Sequence, residues 1–188
     1  SKAFYLCNGA GVGDLGYTGV PYIFRCSIST QPIHATFGEW FADTGVKEVV
    51  TTASDFAGGR STIVEFKNGF VKKGGKIVKE IYPPLGNNDF SPYLADIRSM
   101  NVPATYNFYA GTDAVRFVKQ YDEYGLKGKT KLTGSGFMVE SDTLPAQGKS
   151  ALGVLSSLHY ADTLDNAENK KFVADYRAYQ WNEAPYGN

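Results

Sequence analysis

The feature that most constrains the fold is the alternation of short strand-like runs with segments of helical periodicity. Residues 46–52 form a β-branched run suited to a buried strand, and apolar side chains then recur at helical spacing at Ile63, Phe66 and Phe70. Two glycines follow at residues 74–75, as they do at many helix ends. Because this pattern repeats along the chain, we predict a parallel sheet with helices on both faces.

The remaining segments complete a doubly wound α/β fold. The other strands are predicted over residues 76–82, 104–109, 129–133 and 153–160. The other helices are predicted over residues 30–45, 93–100, 114–124, 143–147 and 166–179. Ser91 is the predicted cap of the helix at residues 93–100, with Pro92 at its first position. We therefore predict a mainly parallel five-stranded sheet within residues 29–180.

The first 28 residues do not fit this repeat. Strand-like runs over residues 3–7 and 22–26 flank a glycine-rich segment, and no helical pattern precedes the first run. A lone first strand would be an unsupported edge in a self-contained sheet. We therefore expect residues 1–28 to belong to a second lobe that is mostly absent from this chain.

Three loops rich in glycine and small polar residues follow predicted strands, at residues 54–59, 110–113 and 134–137. In open parallel sheets the ligand crevice lies outside the carboxyl ends of the strands. These loops should therefore converge on one rim of the sheet and form a ligand site there.

The balance of charge argues against binding to nucleic acid or to an anionic membrane. The 188 residues include 19 Lys and Arg and 19 Asp and Glu, which leaves no basic surplus. No segment approaches the roughly 18 consecutive apolar residues of a membrane span. The chain shows no signal peptide either, so composition leaves the compartment open.

Enzyme and metal signatures are weak. The glycines at residues 9–13 lack the spacing of a dinucleotide-binding loop. His34 falls in a predicted helix and His159 in a predicted strand, and neither has a metal-ligand or triad partner at a recognisable spacing. Cys7 and Cys26 are either buried small apolar residues or a single disulfide. We expect no metal, no cofactor and no catalytic residues.

An ordered series of short motifs resembles one protein family. The motifs are FYLCNGA at residues 4–10, PYIFR at 21–25, ASDFAGG at 53–59, FVKKGGKIV at 70–78, NDFSPYL at 88–94 and DNAENKKFV at 165–173. Each is weak alone, but together and in this order they are similar to the type I periplasmic binding proteins of ABC transporters that bind branched-chain amino acids or aromatic acids. The similarity covers nearly the whole chain.

The resemblance implies a two-lobed protein that closes on a small molecule in the periplasm and delivers it to transporter permease subunits. Residues 29–180 correspond to the second lobe, residues 1–28 to a remnant of the first lobe and a crossing segment, and residues 181–188 to a crossing segment back. A ligand-sensing receptor of the same fold and a branched-chain amino acid carrier are the alternatives. The family contains binding proteins, so we expect no enzymatic activity, no nucleic-acid binding and no membrane insertion.

The resemblance also assigns candidate ligand-binding residues. The family's carboxylate-binding loop corresponds to Asn8, Gly9, Ala10 and Gly11, although these glycines also suit a tight turn. The family's acidic residue for a ligand ammonium corresponds to Ser135. A hydroxyl cannot neutralise a buried ammonium, so we expect a carboxylate without an amine.

Aromatic and small residues complete the predicted site. Phe56, Tyr109 and Phe137 would suit an aromatic or other apolar acid. Gly58 replaces a family tyrosine and would widen the pocket or leave the contact to Phe56. The other candidates are loop residues near helix starts: Asp55, Gly111, Thr112 and Asp113. Asp55 and Asp113 serve either as helix caps or as hydrogen-bond partners of the ligand.

Overall fold

The computed structural model describes residues 3–8, 11, 21–26 and 28–179, which fall into two units that divide between Ser157 and Leu158. The strands of the first unit are β1 (Tyr5–Cys7), β2 (Ile23–Arg25), β3 (Glu48–Ala53), β4 (Lys76–Ile81), β5 (Ala104–Phe108), β6 (Lys131–Ser135) and β7 (Leu155–Ser157). Its helices are α1 (Thr30–Asp43), α2 (Ala57–Lys72), α3 (Ser91–Met100), α4 (Gly111–Glu123) and α5 (Leu144–Gln147), with 3₁₀ turns at Gly136–Met138 and Gly148–Ala151.

The main sheet has five parallel strands in the order β4-β3-β5-β6-β7. This arrangement confirms the predicted fold class. The strands β1 and β2 lie outside it and pair with each other in a separate parallel sheet. The predicted first strand therefore has a partner in the described part of the chain.

Helices cover both faces of the main sheet because alternate strand residues point to opposite sides. On one face, α1 and α2 pack with Val49, Ala53, Ala104, Tyr106 and Phe108 in one hydrophobic cluster. On the other face, α3 and α4 pack with Val50, Ile81, Tyr109 and Leu132 in a second cluster. The middle strand β5 is buried along its whole length.

Two predicted strands have different bounds in the structure. The strand predicted at residues 129–133 runs from Lys131 to Ser135, because the N–H groups of Lys129 and Thr130 instead donate to the Leu126 carbonyl in a turn. The strand predicted at residues 153–160 is only Leu155–Ser157. Its neighbour β6 turns into a 3₁₀ helix after Ser135, the partner of Ser157, so the later residues have no strand to pair with, and His159 lies outside any strand.

The start of α3 also differs from its prediction. The helix begins at Ser91, and the residue in the cap position is Phe90, whose side chain makes no capping bond. Asp89 replaces the predicted cap: its carboxylate accepts a hydrogen bond from the Ser91 N–H at 2.9 Å. Hydrogen bonding to the Ser91 side chain, and to its N–H, lowers the pKa of Asp89. Helix α4 begins at Gly111, three residues before the predicted start.

The two cysteines do not form a disulfide. Cys7 is buried and Cys26 is exposed, and the Cys26 thiol donates a long hydrogen bond to the Cys7 carbonyl at 3.6 Å. The prediction of a buried small apolar residue therefore holds for Cys7, and it is wrong for Cys26.

The second unit contains α6 (Ala167–Ala178), which begins at a side-chain cap. Oδ1 of Asn166 accepts a hydrogen bond from the Asn169 N–H at 2.7 Å. The Asn169 amide in turn donates to the carbonyls of Asp162 and Leu164, so the loop before the helix is tied to its first turn. Across the described residues, no helix is long and apolar enough to cross a membrane.

Helices α1 and α2 approach each other closely at two glycines. A Cβ added at Gly69 would lie 1.9 Å from the Ala35 carbonyl oxygen, and one at Gly38 would lie 2.4 Å from the Phe66 carbonyl oxygen. Both obstacles are backbone atoms, which cannot rotate aside. The spacing of α1 from α2 therefore depends on glycine at these positions.

A buried polar contact ties α1 to the sheet. His34 and Tyr106 are both inaccessible to solvent, and His34 Nδ1 lies 2.7 Å from the Tyr106 hydroxyl. Burial lowers the pKa of His34 to about 4, so the imidazole is neutral at pH 7. Burial raises the pKa of Tyr106 far above its usual value, so the phenol stays protonated.

We predict that Gly69→Ala destabilises the fold despite the better helix propensity of alanine. The propensity gain is about 1 kcal/mol, whereas overpacking typically costs about 1–3 kcal/mol, and here the obstacle is backbone. Urea denaturation should show a net loss of about 1 kcal/mol or more. Asn68→Ala, on the exposed side of the same helix, is the control and should stay within about 0.5 kcal/mol. A stabilised Gly69→Ala variant would contradict the close helix contact.

We predict that His34 makes stability depend on pH in the acid range. The folded state holds the imidazole neutral down to about pH 4, whereas the unfolded chain takes up the proton near pH 6.5. Unfolding therefore binds a proton between these values, and the free energy of unfolding falls by about 3 kcal/mol as pH drops through this window. His34→Gln should lack this component. Equal pH dependence of the two proteins in urea denaturation would refute the assignment.

Candidate ligand-binding site

A cavity of about 430 Å³ opens where the carboxyl ends of β3, β5 and β6 meet the first turns of α1 and α2. Its size lies within the usual range for small-molecule sites. The lining residues are Gly11, Ile28, Thr30, Ile33, His34, Phe56, Ala57, Gly58, Thr62, Phe108, Ala110 and Phe137. The three loops that were predicted to converge thus each contribute to one cavity.

Three phenylalanines form an aromatic wall on one side of the cavity. The ring of Phe108 lies 5.8 Å from that of Phe56 and 5.9 Å from that of Phe137, in tilted and edge-to-face arrangements. Phe56 is 38% exposed although it is a large apolar residue. An aromatic wall with one accessible ring is suited to contact with an apolar or aromatic ligand.

Gly58 gives the Phe56 ring its position. A Cβ at residue 58 would lie 2.7 Å from Cε2 of Phe56. The space left by the missing side chain is therefore occupied by the Phe56 ring. That Phe56 takes over the ligand contact stays a prediction.

The polar groups of the cavity are few and neutral. Thr30 Oγ1 donates to the Gly11 carbonyl at 2.9 Å, and the Thr30 N–H donates to the same oxygen at 2.9 Å. His34 is engaged through Nδ1 with Tyr106. Thr62 Oγ1 is buried without a hydrogen-bond partner among the described residues. Of the lining side chains that the structure describes, none is an acid, a lysine or an arginine.

Two helix starts face the same cavity. Neither Phe56 before α2 nor Ala110 before α4 makes a side-chain cap, and Ala57, Gly58 and Ala110 line the cavity. The first amide groups of a helix lack intrahelical partners and carry partial positive charge, which favours an anion nearby. The site thus combines an apolar wall with features that suit a carboxylate.

Of the residues predicted from the sequence, Gly11, Phe56, Gly58 and Phe137 line the cavity. Asn8 is exposed and is not part of the lining. Gly9 and Ala10 lie outside the described residues, so the predicted carboxylate loop is represented in the structure only by its two ends.

The two predicted aspartates make contacts within the protein. Asp55 is exposed and forms an ion pair with Arg60 at 2.6 Å, and this bond lowers the pKa of Asp55. Asp113 is buried in the first turn of α4, and its Oδ2 accepts hydrogen bonds from the Ser54 hydroxyl at 3.1 Å and the Gly86 N–H at 2.9 Å. Asp113 therefore joins the loops after β3 and β4 to the start of α4.

The other predicted residues lie near the cavity in sequence but do not line it. Tyr109 is buried on the opposite face of the sheet, where its ring stacks on Phe117 and its hydroxyl contacts Thr52 Oγ1. Ser135 is buried at the end of β6, and its hydroxyl has no partner among the described residues. Gly111 and Thr112 are exposed at the start of α4.

Sequence reasoning missed Thr30, His34 and Thr62, the polar part of the lining. All three lie on buried faces of α1 and α2, where periodicity alone does not separate a core position from a cavity wall. The one available signal was their polarity within otherwise apolar helix faces.

A second cavity of about 460 Å³ lies at the opposite end of the strands. Its lining includes Pro103, Lys127, Lys129, Lys131 and Leu132, near the amino ends of β5 and β6. Ligands of parallel α/β sheets bind outside the carboxyl ends, so the aromatic cavity is the candidate ligand site.

Known proteins with similar sequence and structure include one named for branched-chain amino acids and two crystallised with aromatic acids. Leu/Ile/Val-binding protein homolog 6 of Brucella melitensis biotype 1 is 36% identical over 162 residues, which are 85% of this chain and 42% of that protein. A solute-binding protein of an ABC transporter from Rhodopseudomonas palustris BisB5, in complex with 3,4-dihydroxybenzoic acid, is 34% identical, with a TM-score of 0.84 over 98% of this chain and 50% of that one.

The second solved structure is the solute-binding protein of an ABC transporter from Rhodopseudomonas palustris HaA2 in complex with p-hydroxybenzoic acid. It is 31% identical, with a TM-score of 0.87 over 95% of this chain and 49% of that one. The chain thus spans about half the length of these proteins. A family model described as periplasmic binding protein matches residues 2–187. The protein belongs to the periplasmic binding protein family.

Proposed function

We propose that the protein is the substrate-binding component of an ABC-type uptake system and that its ligand is a small aromatic carboxylate without an amine. The observation that carries this proposal is the composition of the cavity. Three phenylalanine rings and no acidic side chain line it among the described residues.

An α-amino acid would bring an ammonium group into this cavity. Burying an ammonium without a carboxylate partner is costly, because the lost hydration is not replaced. His34 offers no negative charge, and Asp55 and Asp113 are engaged in the contacts described above. The site therefore favours ligands that carry a negative charge and an apolar body.

The carboxylate of the ligand has two sources of N–H groups. One is the uncapped start of α2, where Ala57 and Gly58 line the cavity. The other is the glycine loop of residues 9–11, which we propose as the carboxylate-binding loop because glycine lets the main chain approach an anion closely.

The similar proteins point to two classes of ligand. The curated relative at 36% identity is named as a homologue of a Leu/Ile/Val-binding protein, which favours a branched-chain amino acid. The relatives crystallised with hydroxybenzoic acids, at 31% and 34% identity, favour an aromatic acid. The aromatic lining without an acidic side chain supports the aromatic acid. A ligand-sensing receptor with the same fold would use the same binding site.

The proposed role implies a place and a partner. We propose that residues 29–180 form one lobe of a periplasmic binding protein, and that residues 1–28 and 181–188 belong to the other lobe and the crossing segments. The bound molecule would pass to permease subunits of the transporter. We propose no catalytic reaction for the chain.

We predict that benzoate or a hydroxybenzoate binds the protein at least about tenfold more tightly than leucine or valine does. The reason is that the ammonium of an amino acid has no partner in the cavity. A penalty of about 1.4 kcal/mol in binding free energy already raises Kd tenfold. Isothermal titration calorimetry at pH 7 gives each Kd directly. If leucine or valine binds more tightly than every benzoate tested, the assignment of ligand class is wrong.

We predict that Phe137→Ala weakens binding of the aromatic acid about tenfold or more. The variant removes one ring of the aromatic wall, and burial of such a surface contributes about 1.5–3 kcal/mol. The same titration measures the loss. Trp40→Ala removes a ring that is 49% exposed and outside the cavity lining, and it should leave the Kd within about twofold. Equal losses in both variants would point to a general structural effect and against the aromatic wall.

A further inference from the structure

One buried carboxylate joins three loops at the carboxyl end of the sheet. Asp113 is only 4% exposed, and its Oδ2 accepts hydrogen bonds from the Ser54 hydroxyl at 3.1 Å and from the Gly86 N–H at 2.9 Å. Its Oδ1 lies 3.6 Å from Arg116, and the first turn of α4 favours a negative charge at this position. The loops after β3 and β4 are therefore bonded to the start of α4 through a single side chain.

Ser54 connects this carboxylate to the aromatic wall. Its N–H donates to the Phe108 carbonyl at 3.2 Å, and its own carbonyl accepts the Phe56 N–H at 2.9 Å. Ser54 is 1% exposed and is not part of the cavity lining. Its backbone therefore bonds to two residues whose rings are neighbours in the wall, while its side chain bonds to Asp113.

Phe56 is the ring of the wall that is least held by packing. It is exposed, whereas Phe137 is half-buried and Phe108 is buried. A side chain that moves freely before binding must be ordered when a ligand arrives, and this ordering weakens binding. A loop that is already fixed in the free protein avoids that cost.

A second bond holds the same loop at the surface, but it is the weaker of the two. Asp55 and Arg60 form an ion pair in which both side chains are exposed. Exposed ion pairs contribute little, because water screens them and ordering the side chains is costly. The bond from Ser54 to Asp113 is buried and has a charged acceptor, which makes it stronger than a neutral hydrogen bond.

We propose that Ser54 and Asp113 are positioning residues of the aromatic site. Their buried hydrogen bond holds the Phe56 ring beside Phe108 before a ligand arrives, and it thereby raises the affinity for an aromatic acid. This inference rests on the proposed function. It gives Asp113 an indirect role in binding, through the loop that carries Phe56.

The chain offers a matched pair of variants for the test. Ser54→Ala removes the hydroxyl that donates to Asp113, and it should fold because Asp113 keeps its bond to the Gly86 N–H. Thr130→Val is the control: its buried hydroxyl also donates one hydrogen bond at 3.1 Å, to the Val102 carbonyl. Thr130 lies at the other end of the strands and does not line the aromatic cavity. Each variant therefore deletes one buried hydroxyl donor, and only Ser54→Ala should affect the ligand.

The first measurement is amide hydrogen exchange of the ligand-free proteins, followed by NMR, which reports local opening of a loop. In Ser54→Ala the Phe56 N–H should exchange at least about threefold faster than in the wild type, as expected for the loss of one hydrogen bond. The Gly86 N–H, which is still bonded to Asp113, should exchange at the wild-type rate. Thr130→Val should alter neither rate.

Asp113→Ala tests the carboxylate itself. It removes both bonds, so exchange should accelerate at the Phe56 and Gly86 N–H groups together. Acceleration at Gly86 alone would show that Asp113 does not hold the Phe56 loop. If this variant does not fold, Ser54→Ala alone decides the question.

The second measurement is calorimetric titration of benzoate and 4-hydroxybenzoate into the wild type, Ser54→Ala and Thr130→Val. Ser54→Ala should weaken the tighter of the two acids by about three- to tenfold, the usual range for one hydrogen bond. Thr130→Val should leave that Kd within about twofold. A purely structural role of Ser54 would lower stability in urea denaturation without this difference between the two variants.

The possible failures are distinguishable. An unchanged Phe56 exchange rate in Ser54→Ala, an unchanged Kd in that variant, or an equal loss of affinity in Thr130→Val would overturn the positioning role. Each of these leaves the proposed function standing, because the wild type still binds an aromatic acid. If the wild type binds neither acid, the proposed function fails and the inference fails with it.

Discussion

Tyr106, in the middle strand of the sheet, connects the stability of the fold to the shape of the cavity. Its ring stacks on Phe66 of α2 at 3.7 Å between centroids, and its hydroxyl is hydrogen-bonded to His34 of α1. Because side chains alternate along a strand, Phe108 points to the same face and reaches the cavity. The side chains on one face of β5 therefore contact both helices and supply part of the cavity wall.

The alternation of strands and helices was readable from the sequence because each element keeps its own hydrophobic period. The loops after β3, β5 and β6 were predicted to converge for the same reason, since parallel strands end at one edge. Tyr109 shows where this reasoning stops. It lies at the correct end of β5, but strand alternation places it opposite Phe108, on the face covered by α3 and α4. Choosing between the two rings requires knowing which face of β5 each helix pair covers.

Thr62 and His34 show a second limit. Both lie on the buried faces of helices, where a polar residue in the core and a polar residue at a cavity look alike in sequence. Their distinction depends on an open space beside them, which is a property of packing. Edge strand β7 shows a third limit. Its length depends on where its neighbour β6 ends, and this cannot be predicted from residues 153–160 alone.

The resemblance to proteins named for branched-chain amino acids identifies the fold and the family, but the ligand depends on the side chains of the site. Here the described wall is neutral and aromatic. Within one fold, replacing an acidic partner by small neutral residues changes which molecules can be buried at acceptable electrostatic cost. The charge of the cavity is therefore the property that separates the candidate ligands.

The most direct test of this account is a crystal structure of the protein with 4-hydroxybenzoate. The account predicts that the ring lies against Phe56, Phe108 and Phe137 and that the carboxylate lies near the start of α2. A ligand in the lysine-lined cavity at the other end of the sheet would contradict it.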